Sequence, residues 1–242
     1  MFTLKRGDCL ELMAGIPDKS IDLILCDLPY GTTQNKWDTV IPFDALWGHY
    51  VRISRGAIVL TAAQPFTSAL IMSNAKSFKY TWVWDKANST GFLNAKKQPL
   101  RRTEDVVVFY DTQPTYNPQM EVRGRPRKKG GYIKKDGSDN YGSFKSVESV
   151  SNEYYPTNLI KISNANRSEK CHPTQKPVAL MEYLIKTYTN EGDTVLDNCM
   201  GSGTTGVACA NTNRKFIGME LDSDYFRIAR RRISEAYKTK AP

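Results

Sequence analysis

The sequence predicts an α/β domain, a sheet with helices on both faces, and three observations predict it. Short apolar runs stop abruptly at turn-forming residues, as buried strands do. Helical apolar stripes alternate with those runs along the chain. One strand leads directly into a glycine loop that opens a helix.

Residues 21–26 read Ile-Asp-Leu-Ile-Leu-Cys and stop at Asp27 and Pro29, which suits a buried parallel strand ending in a loop. Residues 56–62 and 105–110 are two more such strands, and residues 80–84 a fourth. Helices are expected between them, over residues 43–54 and 65–74. From residue 111 to 169 Pro, Gly, Asn, Ser, Lys and Arg dominate and apolar periodicity fades. A segment of that length inside a domain is typically functional or without fixed structure. Its densest basic run is Arg123-Gly-Arg-Pro-Arg-Lys-Lys129, with Tyr116, Tyr132, Tyr141, Phe144, Tyr154 and Tyr155 interleaved. Regular structure resumes with a helix over residues 178–187, where Leu180, Leu184 and Ile185 form an apolar stripe. A strand over 194–197, a helix over 204–210, a strand over 215–219 and an Arg-rich helix over 223–237 follow. The expected organisation is one domain in two halves, residues 1–110 and 171–242, separated by an irregular basic insertion at 111–170.

At 242 residues the chain is long enough for one large domain, or a domain plus an insertion. Its 40% hydrophobic and 24% charged residues are those of a globular protein with a sizeable core. The net charge of +9 favours a polyanionic partner, although charge alone does not single out nucleic acid. Five cysteines, an odd number with no Cys-x-x-Cys pair, argue against a disulfide framework or a zinc site and for a reducing cytoplasm. With only His49 and His172, a His-based metal site is not expected. The N-terminus lacks a signal-peptide apolar core, and no run approaches the roughly 20 apolar residues that span a bilayer, so no membrane is expected either.

Two motifs carry chemistry. Asp197-Asn-Cys-Met200-Gly201-Ser202-Gly203-Thr204-Thr205-Gly206 follows a strand and opens a helix, so its glycines let a ligand approach the backbone while the helix start offers free N–H groups. The next strand ends in Glu220, about 20 residues past the glycines, where an acidic side chain can accept hydrogen bonds from ribose hydroxyls. Together they point to a nucleoside cofactor; either alone is equally a tight turn. Pyrophosphate fits less well, because the third glycine of the dinucleotide spacing is missing. The second motif, Asp27-Leu28-Pro29-Tyr30, sits at the carboxyl end of a strand, the edge where open α/β sheets bind ligands. Read alone it is equally a strand-ending turn. Read functionally, a carboxylate and a carbonyl would accept both hydrogens of an exocyclic amine and favour its pyramidal, nucleophilic form. Pro29 would fix the backbone and Tyr30 stack on the ring.

Asp27-Leu-Pro-Tyr30 resembles the Asp-Pro-Pro-Tyr signature of amino DNA methyltransferases, and residues 197–205 resemble their Asp-Pro-Phe-x-Gly-Ser-Gly-Thr-Thr cofactor loop. His172-Pro-Thr-Gln-Lys-Pro177, Gly7-Asp8 and Arg101-Arg-Thr-Glu-Asp-Val-Val-Val-Phe109 are similar to further family blocks. The order, catalytic tetrapeptide before basic region before cofactor loop, is that of the β class. The resemblance implies a Rossmann-like S-adenosylmethionine-dependent methyltransferase fold, a largely parallel doubly wound sheet with one antiparallel strand plus the insertion. It implies transfer of methyl from S-adenosyl-L-methionine to the N6 amine of adenine in double-stranded DNA. An Asp in first position goes with adenine in the family; N4-cytosine, or an RNA or protein amine on the same fold, are the alternatives.

By the same resemblance Asp27 and the Leu28 carbonyl hold the amine and Tyr30 stacks on the flipped base. Gly201 and Gly203 approach the methionine part of the cofactor, Thr204 its carboxylate, Glu220 its ribose and Asp8 its adenine. Cys26, Asp197, Met200, Ser202, Thr205 and Lys176 complete the expected cofactor site. Leu28 departs from the family's first proline, and Asn198-Cys199 from its Pro-Phe, which removes an aromatic surface. Cys199 reads as a packing residue rather than a nucleophile. A duplex hides the amine, so the base must be flipped. The segment after Tyr30, with Lys36 and Trp37, is expected to act as a lid over it. Arg123, Arg125, Arg127, Lys128 and Lys129 are the expected DNA contacts. His172 is expected to be structural, and a homodimer is left open by analogy with the class.

Overall fold

A computed structural model of the chain describes residues 1–31, 38–130, 147–164 and 175–239. It forms two compact units, Met1–Asn117 with Asn158–Pro242, and Pro118–Thr157. In chain order the first half contains β1 (Phe2–Arg6), α1 (Cys9–Ala14), β2 (Ile21–Asp27), α2 (Phe43–Ile53), β3 (Ser54–Ala62), α3 (Phe66–Ser73), β4 (Phe78–Thr90) and β5 (Arg101–Phe109). Then come β6 (Glu121–Lys129), β7 (Ser149–Tyr154), β8 (Leu159–Lys161), α4 (Val178–Tyr188), β9 (Thr194–Asp197), α5 (Thr204–Asn211), β10 (Lys215–Glu220) and α6 (Ser223–Lys238).

The larger unit is built on a sheet of eight strands in the order β1-β10-β9-β2-β3-β5-β4-β8. Only β5 runs against its neighbours: it pairs antiparallel with β3 and β4, and the other pairings are parallel. β2 shows why both faces must be covered. Leu23 and Leu25 pack on one face with Leu180, Leu184 and Ile233 from α4 and α6. Ile24 and Cys26 pack on the other with Met13, Leu46, Tyr50 and Leu70 from α1, α2 and α3. A strand buried on both faces carries a continuous apolar run instead of alternation, which is the pattern residues 21–26 display. This is the Rossmann-like, doubly wound arrangement that the alternating runs and stripes predict.

The chain order sets a functional edge. β2 leads outward to β3, and β9 leads outward the other way to β10, while β2 and β9 are themselves neighbours. Connections diverge there, so a crevice opens above the carboxyl ends of β2 and β9.

The span expected to be irregular from 111 to 170 is divided differently. Residues 111–117 stay with the larger unit: the Asn117 amide donates to the Thr187 carbonyl at 2.7 Å, and its side chain donates to the Lys186 and Thr189 carbonyls. β8 likewise joins the main sheet beside β4. Pro118–Thr157 alone is separate, and it holds an antiparallel ribbon of β6 and β7. β6 is exposed along nearly its whole length. A strand with no buried face needs no apolar alternation, so the run Arg123–Lys129 gives no periodic sign of it. Tyr154 supports it instead, with Lys129 Nζ 3.5 Å and the Arg123 guanidinium 5.4 Å from its ring centre.

Among the described residues no helix is long and apolar enough to cross a membrane, and no three His, Cys, Asp or Glu side chains are placed to hold a metal ion.

Candidate active site

The strand ends bring four acids to one edge. Asp8 follows β1, Glu220 ends β10, Asp197 ends β9 and Asp27 ends β2, and those strands are consecutive in the sheet. All four line one cleft of about 1390 Å³. That is larger than the roughly 300–1,000 Å³ of a single small-ligand pocket, so the cleft has room for two reacting partners.

Asp27 stands at the switch point with both carboxylate oxygens engaged. Oδ1 accepts from the Tyr30 hydroxyl at 2.8 Å and from the Thr61 hydroxyl. Oδ2 accepts from Lys176 Nζ at 2.8 Å. A carboxylate oxygen accepts about two hydrogen bonds, so Oδ2 keeps one acceptor position. Tyr30 is fixed in turn: one face stacks on Phe66 with ring centres 5.1 Å apart, and its hydroxyl meets Thr61 at 3.1 Å. Burial, reinforced by the Asp27 charge, pushes the Tyr30 phenol well above its ordinary value, so it remains a donor. Leu28 and Pro29 line the cleft beside it, and Asp38 Oδ1 accepts from the Gly31 amide at 2.9 Å to close the turn.

Lys176 lines the same cleft and forms ion pairs with Asp27 and, at 3.4 Å, with Glu104 Oε2. Burial alone would depress its ammonium, but Asp27, Tyr30 and Glu104 outweigh that and hold it well above the ordinary lysine value. Glu104 Oε1 is paired with the buried Lys86 at 3.0 Å. Oε2 is the buried side-chain atom, among the described residues, that accepts no hydrogen bond; Lys176 balances its charge without hydrogen-bond geometry. Thr61, Lys86 and Glu104 were not singled out from sequence.

The other side of the cleft is a backbone cradle. Glu220 Oε2 accepts from the Gly201 amide at 2.8 Å, and Oε1 from the Asp222 amide at 2.8 Å. Burial raises the Glu220 carboxyl, and those two N–H groups oppose the rise. Asp8 caps α1, accepting from the Leu10 amide at 2.8 Å. Beside Glu220, Leu221 lines the cleft with 68% of its surface exposed, an apolar wall without a protein neighbour over most of its area. Met200, Ser202, Thr204 and Thr205 line the cleft as well. Ser202 is held by Gln175 at 3.2 Å and by Arg232 at 3.0 Å.

Two expected cofactor residues lie elsewhere. Gly203 is absent from the cleft wall; at φ +81° a Cβ there would come within 3.0 Å of Ala229 and Ile233, so α6 packing requires the glycine. Cys26 is fully buried beneath the strand end and does not line the cleft. Cys26 and Cys199 thiols are raised, the first to about 12 by burial and the second by its hydrogen bond with Cys26; Cys199, half-buried, lines the cleft. Asp197 is raised to about 7 by burial, against the Thr205 hydroxyl and the Cys199 amide. Lys36, Trp37 and His172 lie outside the described residues.

In the smaller unit all five expected DNA contacts lie on β6. Arg123 pairs with Glu121, Lys128 with Glu148 at 2.9 Å, and Lys129 donates to the Glu153 carbonyl. Arg125 and Arg127 are exposed and, among the described residues, pair with no carboxylate.

A family profile described as DNA methylase matches residues 21–231. The chain is 28% identical to the DNA adenine methyltransferase YhdJ of Escherichia coli K12, over 97% of this chain and 83% of that protein. It is 25% identical to the type II methyltransferase M.HpaI of Haemophilus parainfluenzae, over 96% and 74%. Among solved structures, the M1.HpyAVI–SAM complex superposes with a TM-score of 0.66 at 26% identity, covering 96% of this chain and 99% of that one. The cytosine-N4-specific PvuII DNA methyltransferase superposes with a TM-score of 0.68, over 99% and 92%; at 18% identity that likeness concerns the fold alone.

Proposed function

Since the chain belongs to the N6-adenine/N4-cytosine DNA methylase family, we propose that it methylates the N6 amine of adenine in double-stranded DNA, using S-adenosyl-L-methionine and base flipping. The observation that carries the reading is Asp27 at the switch point, held from three sides and facing the Asp8–Glu220–Gly201 cradle across one cleft. Adenine over cytosine is supported by the aspartate in first position and by the likeness to YhdJ across nearly the whole chain.

The cradle fits the cofactor's parts. Glu220, already oriented by two amides, has acceptor capacity left for ribose hydroxyls, Leu221 offers an apolar surface to a purine, and Asp8 an acceptor to its amine. The start of α5, with Thr204 and Thr205, faces the amino-acid end. When bound, the cofactor supplies an electrophilic methyl group on a sulfonium.

The rest is done by side chains of this chain. Asp27 Oδ2 and the Leu28 carbonyl accept the two amine hydrogens, which draws the nitrogen toward its pyramidal form and frees its lone pair. Tyr30, braced on Phe66, presents its ring to the base, and its hydroxyl keeps Oδ1 in place. Lys176 holds Oδ2 in place through its ion pair as the base arrives. The methylated nitrogen is cationic and sheds a proton without a strong base; Asp27 Oδ2 is the acceptor already bonded to it.

The test is methyl transfer from labelled cofactor to duplex DNA, RNA and protein, with the DNA then hydrolysed to nucleosides. Label in N6-methyldeoxyadenosine is expected. Label in N4-methyldeoxycytidine would replace adenine by cytosine, and label confined to RNA or protein would overturn the reading.

A further inference from the structure

Phe92 and Leu93 are adjacent large apolar side chains held in water, 68% and 103% exposed. They occupy a single 3-10 turn, Phe92–Asn94, at the tip of the β4–β5 hairpin. The tip is braced. Gly91 turns the chain at φ 92°, the Asn94 amide donates to the Gly91 carbonyl at 3.0 Å, and the Ala95 amide to that of Phe92 at 3.1 Å. The Lys97 and Gln98 amides both donate to the Asn94 carbonyl, at 2.8 and 3.0 Å. A backbone tied in this way fixes both side chains outward, where an unbraced loop would let them fold back onto the protein.

Strand register locates the tip. Asp27 pairs with Thr61, Thr61 with Val106, and Val106 with Trp82, so these four residues share a level. From Val106, β5 continues toward the carboxyl edge to Arg101, which pairs with Thr90. Five residues at the rise of an extended strand is on the order of 15 Å. The hairpin therefore stands well above the level of the Asp27 carboxylate, on the edge where the cleft opens. Its stem belongs to that cleft: Thr90, Arg101 and Thr103 line it together with Asp27 and Tyr30.

The charge around the tip has one sign. Residues 86–102 hold Lys86, Lys96, Lys97, Arg101 and Arg102 and no Asp or Glu. Lys86 is buried against Glu104 and Arg102 pairs with Asp85 at the surface, while Lys96, Lys97 and Arg101 are exposed with no ion pair among the described residues. Cations suit phosphates, and an apolar tip between them suits the space between stacked bases. Extruding a base leaves such a space in the duplex.

We propose that Leu93, backed by Phe92, enters the duplex and fills the position vacated by the target base, with Lys96, Lys97 and Arg101 on the flanking phosphates. The proposal rests on the reading of the chain as a base-flipping DNA methyltransferase.

The test uses the full chain, with Leu93→Ala and Phe92→Ala. Sequencing of modified bases in genomic DNA treated with the wild-type protein supplies the site. Two duplexes carry it, one fully matched and one with the target base mispaired. A mispaired base costs less to extrude, so a wedge matters less there: transfer by the variants should fall about 10- to 100-fold on the matched duplex and stay within about threefold of wild type on the mispaired one. With 2-aminopurine at the target position, the wild type should raise fluorescence on binding and Leu93→Ala should lose most of that rise. Equal loss on both duplexes, or no loss on either, overturns the wedge while the methyltransferase reading stands. A wild type that modifies no duplex base overturns that reading and the wedge with it.

Discussion

The Lys176 ammonium donates to Asp27 Oδ2 at 2.8 Å across 149 residues of sequence. It also faces Glu104 Oε2 at 3.4 Å, so one buried cation bridges two carboxylates. This makes Lys176 a positioning residue for Asp27. Lys176→Met should lower single-turnover methyl transfer by about 100-fold, the scale of a misplaced reacting group. The cofactor Kd, measured by calorimetry, should change less than about threefold. Asp27 keeps 24% exposure, so the stability loss should fall below the ~3–5 kcal/mol of a fully buried broken pair. A large loss of cofactor affinity at intact turnover would place Lys176 on the cofactor side.

Thr61 is the second hidden support, donating to Asp27 Oδ1 beside the Tyr30 hydroxyl. Thr61→Val removes the donor at nearly constant volume. One lost hydrogen bond to a charged group is worth about 1.5–3 kcal/mol, so kcat should fall about 10- to 100-fold with KM for DNA little changed. Thr61→Ser, which restores the donor, should recover most of the rate.

These supports mark where the sequence stops being legible. Asp27, Tyr30, Gly201 and Glu220 stand at strand ends or in a glycine loop, and such positions announce themselves through local pattern. Thr61 and Glu104 sit inside β3 and β5, where each reads as an ordinary strand residue; only the pairing of β2 with β3 and of β3 with β5 brings them toward Asp27. β1 and β8 are short edge strands without a clear apolar run, and their assignment depends on the neighbour they pair with. β6 carries its residues on an exposed ribbon, so no burial pattern reports it. Gly203 shows the converse: its place in a recognisable loop suggests ligand contact, while the space around it is filled by α6.

Gly203→Ala should therefore act on stability. Its φ of +81° disfavours a side chain, and the added methyl would press on Ala229 and Ile233. Strain and overpacking together predict a loss of about 1–3 kcal/mol, read as a lower urea midpoint. A variant of unchanged stability with weakened cofactor binding would place Gly203 at the ligand after all.

Asp197 gives a pH signature. Burial raises its carboxyl from 3.8 to about 7 in the folded chain. Between those values the folded protein holds the proton while the unfolded chain releases it. The group's contribution to stability is complete below about pH 4, is lost as pH rises to about 7, and is constant above. That displacement corresponds to about 4 kcal/mol. The wild type should therefore lose stability relative to Asp197→Asn from pH 4 to 7, in paired denaturant titrations, and stay level with further rise. A difference independent of pH would show that Asp197 ionises normally.

Among the described residues Arg125 and Arg127 pair with no carboxylate and Lys129 reaches only the Glu153 backbone carbonyl, whereas Arg123 and Lys128 are matched to Glu121 and Glu148. A cation already paired releases fewer counterions when it reaches a phosphate. Replacing Arg125 and Arg127 by Gln should thus weaken duplex binding and flatten its dependence on log salt by up to about 1.8, near 0.9 for each phosphate contact removed. Replacing Arg123 and Lys128 should flatten it less, because part of their charge is already balanced within the ribbon. Equal effects from the two pairs would mean that the ribbon's internal ion pairs break on binding. No change from either would move the DNA contacts off β6.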